Sequence, residues 1–267
     1  MSDDVFALSF GAGELAFLAG LLGASPRLLQ SPFAGWSDEQ VQKALQEARQ
    51  SLATRQYIQD QPDGELGVEP VVAALVGALA FAESALTVTC LHNAKTQPAV
   101  LRVHYASGLI VEHEERDGTY CLTAVRNGAV LARRLQHYVE LAAQPAAAGT
   151  ACTLASSDAH EAQWVAVVEG EGAAAQQLKE AGVQPGGARA LARAMAETVR
   201  QSAWLALRWE GAESRRLDSF TLLEGRDGMW LLQRLADSPD RLEAIPCDAA
   251  AAARRVDDVI RAIILMP

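Results

Sequence analysis

The sequence predicts an α+β protein of two similar halves, each with helices, then a three- to four-stranded antiparallel sheet, then a closing helix, related by a pseudo-two-fold axis. Three observations carry this. Apolar residues recur at helical spacing up to about Ala82 and switch to two-residue alternation from Leu86. Glycine turn signals at Ser107-Gly108, Asp117-Gly118 and Asp227-Gly228 punctuate alternating runs. The order then recurs: Gly108 lies 19 residues before the capping residue Asn127, and Gly228 lies 20 before Asp248.

Element by element, Leu15, Leu18, Ala19 and Leu22 mark one helix face, with Gly23 as its stop. Ser37 and Gln40 form a capping box for a second helix whose apolar face runs Val41, Leu45, Ala48, Leu52. A third helix starts near Val68 or Glu69, since Pro70 suits a first turn, and passes through Leu75 and Leu79. Leu86, Val88 and Cys90 alternate as a first strand. For the next hairpin, a two-residue Ser107-Gly108 turn mixes apolar and acidic side chains on each face. A three-residue loop Ala106-Ser107-Gly108 instead sets Leu101, Val103 and Tyr105 against His113, Val111 and Leu109, so this register is expected. Asp117-Gly118 as a type I′ turn sets Tyr120, Leu122 and Ala124 opposite Glu115, His113 and Val111. Asn127 caps a helix whose stripe Val130, Leu131, Leu135, Tyr138, Leu141 is expected to cover that face.

The first half is thus residues 1–141. The stretch 142–150, small, uncharged and broken by Pro145 and Gly149, is the expected linker. Residues 151–267 form the second half: helices over about 158–168, 173–181 and 188–201, a strand at 204–209, a hairpin of 217–223 with 229–235, a strand at 241–245, and a last helix capped by Asp248. Paired about the axis, the halves are expected to leave no sheet edge exposed.

Of the 267 residues half are hydrophobic, enough for a sizeable core, and 33 acidic against 23 basic residues give a net charge of -10. That balance repels nucleic acid and anionic membrane. The start lacks the basic segment of a signal peptide, and no apolar run reaches the ~18 residues of a membrane span. Cys90, Cys121, Cys152 and Cys247 are far apart, without a Cys-x-x-Cys pair. A cytoplasmic protein is expected, as monomer or homodimer, without cofactor or metal.

None of His92, His104, His113, His137 and His160 falls in a catalytic or metal-ligating pattern, and the expected register puts His104 and His113 on opposite sheet faces. In the run Glu112-His113-Glu114-Glu115 only Glu112 and Glu114 converge, which reads as a solvated strand edge. Gly11-Ala12-Gly13 and Gly170-Glu171-Gly172 lack the spacing of a phosphate cradle. Asp3 and Asp4 read as a tail. No general acid and base pair emerges, so an enzyme is not expected.

The second-half hairpin carries the binding signal. Phe220, Leu222, Met229 and Leu231 line one face and Leu223, Trp230 and Leu232 the other, with Trp209 on a strand face shared with Leu205 and Leu207. Trp209, Leu223, Trp230 and Leu232 are therefore expected to form or border an accessible apolar patch that binds a protein partner.

Two stretches carry a resemblance: Gly13-Glu14-Leu15-Ala16-Phe17-Leu18-Ala19-Gly20-Leu21-Leu22-Gly23, and Leu52-Ala53-Thr54-Arg55 followed by Asp63-Gly64-Glu65-Leu66. With an Ala/Leu-rich helix, the βββα order and the closing Asp227-Gly228-Met229-Trp230, the chain resembles the EspG family of cytosolic chaperones of ESX (type VII) secretion. Gln56-Tyr57 stand where a glycine-containing turn is expected. The resemblance implies a pseudo-two-fold α+β fold and a non-catalytic role in holding secreted proteins soluble. Two alternatives differ in class: a winged-helix transcription regulator using Arg49 and Arg55 within 37–68, and a small-molecule enzyme with a pocket between the halves lined by His113, Tyr120 or Cys121.

Overall fold

The computed structural model describes residues 6–23, 33–92, 97–141 and 145–264; the expected tail at Asp3 and Asp4 and part of the expected linker, 142–144, lie outside them. First come β1 (Phe6–Gly11), α1 (Ala12–Leu21), α2 (Asp38–Thr54), a small hairpin of β2 (Ile58–Asp60) and β3 (Leu66–Val68), and α3 (Pro70–Ala80). Then follow β4 (Ser84–His92), β5 (Ala99–Ala106), β6 (Leu109–Arg116), β7 (Thr119–Val125) and α4 (Gly128–Tyr138). Next stand β8 (Cys152–Ala155), α5 (Ser156–Val168), α6 (Glu171–Glu180) and α7 (Pro185–Ala196). β9 (Arg200–Glu210), β10 (Glu213–Gly225), β11 (Gly228–Leu235), β12 (Ser238–Cys247) and α8 (Ala249–Ile264) complete the fold.

Local chemistry sets the helix starts. The Ser37 hydroxyl accepts from the Gln40 amide at 3.3 Å while the Ser37 amide donates to Gln40 Oε1 at 2.8 Å. Pro70 occupies the first turn of α3, and the Glu69 carboxylate accepts from the Val72 amide at 2.8 Å. Asn127 and Asp248 accept from the amides three residues on, at 3.0 and 2.7 Å.

Ten strands form one antiparallel sheet in the order β1-β7-β6-β5-β4-β9-β10-β11-β12-β8. Read outward from the central β4–β9 pair, each side gives its strands in the same sequence and returns its first strand to the outer edge. Each side therefore contributes five strands rather than three or four, and β1 and β8 are edges, against the expectation of none. The sequence reading missed both because each is a short strand ahead of a helix.

Helices cover both faces. On one, α4 and α8 enclose a core drawn from both sides, including Leu86, Val103, Leu131, Leu135, Phe220, Leu222, Val256 and Ile260. On the other, α1–α3 bury Phe10, Val111 and Leu122, while α5–α7 bury Leu223 and Trp230.

This two-sided burial overturns the expected β5–β6 register. Ser107 and Gly108 have φ of 49° and 84°, a two-residue type I′ turn, so Leu101, Val103 and Tyr105 face Glu114, Glu112 and Ile110. The polar face assumed for the sequence argument does not exist. Glu112 is buried, and Arg134 of α4 grips both its oxygens at 2.6–2.9 Å. β6 is an interior strand, so the acidic run is no solvated edge, and Glu114 pairs with Arg116 at 2.8 Å. Likewise α4 covers the Leu101–Ile110 face, leaving Val111 and Leu122 to α1–α3. The Asp117-Gly118 turn, with φ of 51° and 74°, gives the expected pairing of Tyr120, Leu122 and Ala124.

Candidate partner-binding face

Among the described residues, the two helical layers that share a sheet face leave its middle uncovered. α3 packs on β5–β7, whereas α5 packs on β8 and β12 and α7 on β10 and β11. Between them β4 and β9 present Thr87, Thr89, Ala203, Leu205, Leu207 and Trp209, all half-buried. The register fixes these on one face: Thr87 opposes Leu205, Thr89 opposes Ala203, and Leu205 opposes Ser219 of β10. The floor is thus an apolar strip edged with hydroxyls.

At the α5 wall the floor deepens into a pocket of about 290 Å³, lined among others by His160, Gln163, Gln201, Thr221, Leu232 and Arg234. Gln163 Nε2 donates to Gln201 Oε1 at 2.6 Å and so ties α5 to β9. His160 Nδ1 donates to the Ser156 carbonyl at 2.9 Å, which sets the ring's orientation. One turn beyond His160 and Gln163 on the same helix edge come Trp164 and Val167, 68% and 55% exposed. Ala159, Ala162 and Ala166 point into the core, so α5 has a second apolar stripe that the fold does not use.

The four residues expected to form the patch divide. Trp209 and Leu232 are half-buried on the open face. Leu223 and Trp230 are 2% and 0% exposed, which corrects the expectation of accessibility. α5–α7 supply the cover, with Leu191 and Met195 of α7 in the same core. The residues ahead of β8 add to it: Ala146 bridges Met229, and a side chain at Gly149 would stand 2.9 Å from the Trp230 ring. Thr87, Thr89, Gln163, Trp164 and Val167 were missed, although the stripe His160, Trp164, Val167, Val168 opposite an alanine stripe was a readable signal.

Other candidates are engaged or separated. The His113 and Tyr120 rings meet at 5.4 Å, tilted by 38°, on the side that α1–α3 cover, while Cys121, the next residue on the strand, turns to the opposite side, so the three line no common pocket. His104 and His113 share a face, rings 5.6 Å apart, because the register differs from that expected. Arg49 pairs with Asp60 at 3.4 Å and Arg55 with Glu14 at 3.1 Å, so both arginines of the regulator reading have carboxylate partners. Among the described residues no three His, Cys, Asp or Glu group to hold a metal, and no helix is long and apolar enough to cross a membrane.

No family model and no curated protein matches the sequence. Among solved structures, the type VII secretion system chaperone EspG5 of Mycobacterium tuberculosis, in complex with a PE25–PPE41 dimer, superposes with a TM-score of 0.67 over 96% of both chains at 14% identity. The fold is EspG-like. At that identity the likeness is one of fold.

Proposed function

We propose that this protein is a non-catalytic, cytosolic chaperone that binds a secreted protein on the open sheet face between α3 and α5. The observation that carries the reading is the full-length likeness to a chaperone whose solved structure holds a protein dimer. The site supports it: half-buried Leu205, Leu207 and Trp209 on the sheet floor and exposed Trp164 and Val167 on α5 supply apolar surface, with polar anchors at Gln163, Gln201 and Thr221. A buried aspartate on that strip would be desolvated by any occupant without a partner charge. The test is co-expression with paired secretion substrates encoded beside the gene, read by co-elution and light scattering. A defined complex lost in Leu205→Asp, with the melting temperature retained, is the expected result. Failure of every such pair to bind, or equal binding by Leu205→Asp, removes the proposal.

A further inference from the structure

His104 and His113 are both 0% exposed, their rings lie 5.6 Å apart, and among the described residues none of their four nitrogens has a hydrogen-bond partner. Imidazoles in an interior ordinarily have at least one partner, since a polar group buried unpaired forfeits its hydrogen bonds to water. A cation is no explanation: Arg102 lies directly opposite His113 on the same face, and no third ligand joins the pair among the described residues.

We propose that the pair is an acid-released latch, in which protonation by solvent detaches α1 and α3 from the first-half strands while the central and second-half cores stay closed. The surroundings of the pair provide no place for an imidazolium. On the same face β5 offers Arg102, β6 the exposed Glu115 and β7 Tyr120; β4 offers Ala85 and Thr87, and β1 Leu8 and Phe10. α3 has no ionisable residue, and the single one in α1, Glu14, is held by Arg55, Ser51 and the Gly11 amide. Burial first, and then Arg102, holds His113 down to about 4. Burial first, then His113 and Arg102, holds His104 well below the ordinary range.

The sign follows from these depressed values. Well above pH 6.5 both rings are neutral docked or undocked and contribute nothing. As pH falls towards 4 only the undocked form takes up protons, so docking weakens. Two protons per opening raise the opening constant by up to about 100-fold per pH unit.

Hydrogen exchange of the full chain between pH 7.5 and 5, corrected for intrinsic rates, tests this. Amides of α1 and α3 should lose protection with that steepness while those of α7 and α8 hold, and His104→Leu/His113→Phe should flatten the dependence. If the double variant does not fold, His113→Gln should halve the slope to about 10-fold per unit. Protection of α1 and α3 that stays level, a loss shared equally by α7 and α8, or a slope unchanged in the variants overturns the latch.

Discussion

Glu14 and Arg55 meet across 41 positions at the open edge of β1, Arg55 Nη1 lying 3.1 Å from Glu14 Oε2. Around the pair, Glu14 accepts from the Gly11 amide at 2.8 Å and from the Ser51 hydroxyl at 2.7 Å, and Arg55 Nη2 donates to the Ser9 carbonyl at 2.6 Å. The guanidinium also lies 4.3 Å from the centre of the Tyr57 ring. One ion pair thereby joins β1, α1 and the end of α2, and occupies backbone groups that an edge strand otherwise leaves open. Both residues belong to the stretches that carry the family resemblance.

Arg55→Ala should accordingly lower stability by about 3 kcal/mol, because Glu14 is left nearly buried without its counter-charge. Glu14→Gln, which keeps most hydrogen bonds, should cost about half as much. Urea unfolding gives both numbers. Equal losses in the two variants would mean that hydrogen bonding rather than charge dominates the site.

Trp230→Ala should cost about 3–5 kcal/mol, the range for a large side chain removed from a closed core. Among the described residues the indole N–H has no partner, so Trp230→Phe forfeits no hydrogen bond seen here and should lose only about 1–2 kcal/mol. A Trp230→Ala protein of unchanged melting temperature with a separate binding defect would restore the interface reading of this residue.

Signals confined to a few neighbouring residues were legible: the Ser37–Gln40 box, Pro70 in the first turn of α3, the Asp117-Gly118 turn and the caps at Asn127 and Asp248. What depends on distant residues was not. The β5–β6 register hinged on whether Glu112 faces water, and its partner Arg134 lies 22 residues on. Trp230 looked surplus to a core because the hairpin alone does not reveal that α5–α7 return to cover it. The open face depends on where two helical layers stop, which no local pattern encodes; only the exposed stripe ending in Val167-Val168 of α5 hinted at it.

The cysteines should separate by depth. Burial pushes the Cys90 and Cys247 thiols up to about 11, so at pH 8 roughly one in a thousand is thiolate, the reactive form. Both should resist a thiol-exchange reagent at pH 8 in the native protein and react at once in guanidinium. Half-buried Cys121 should react first. Rapid native labelling of Cys90 would show that the core under α4 opens on the reagent's timescale.

Trp164 separates folding from binding most cleanly. At 68% exposure it contributes little to the core, and neither a cavity nor an unpaired polar group follows from its removal, so Trp164→Ala should leave stability within about 0.5 kcal/mol. If the face between α3 and α5 seats a protein partner, the same change should weaken binding by about 2 kcal/mol, the loss expected when an aromatic anchor leaves an interface. Val168→Ala, 58% exposed and further round the helix from Gln163, should do less. Paired melting curves and titration calorimetry against the co-eluting partner give both quantities. A Trp164→Ala protein that binds as the wild type would move the interface off the α5 wall and leave the sheet floor, read through Leu205→Asp, as the remaining surface.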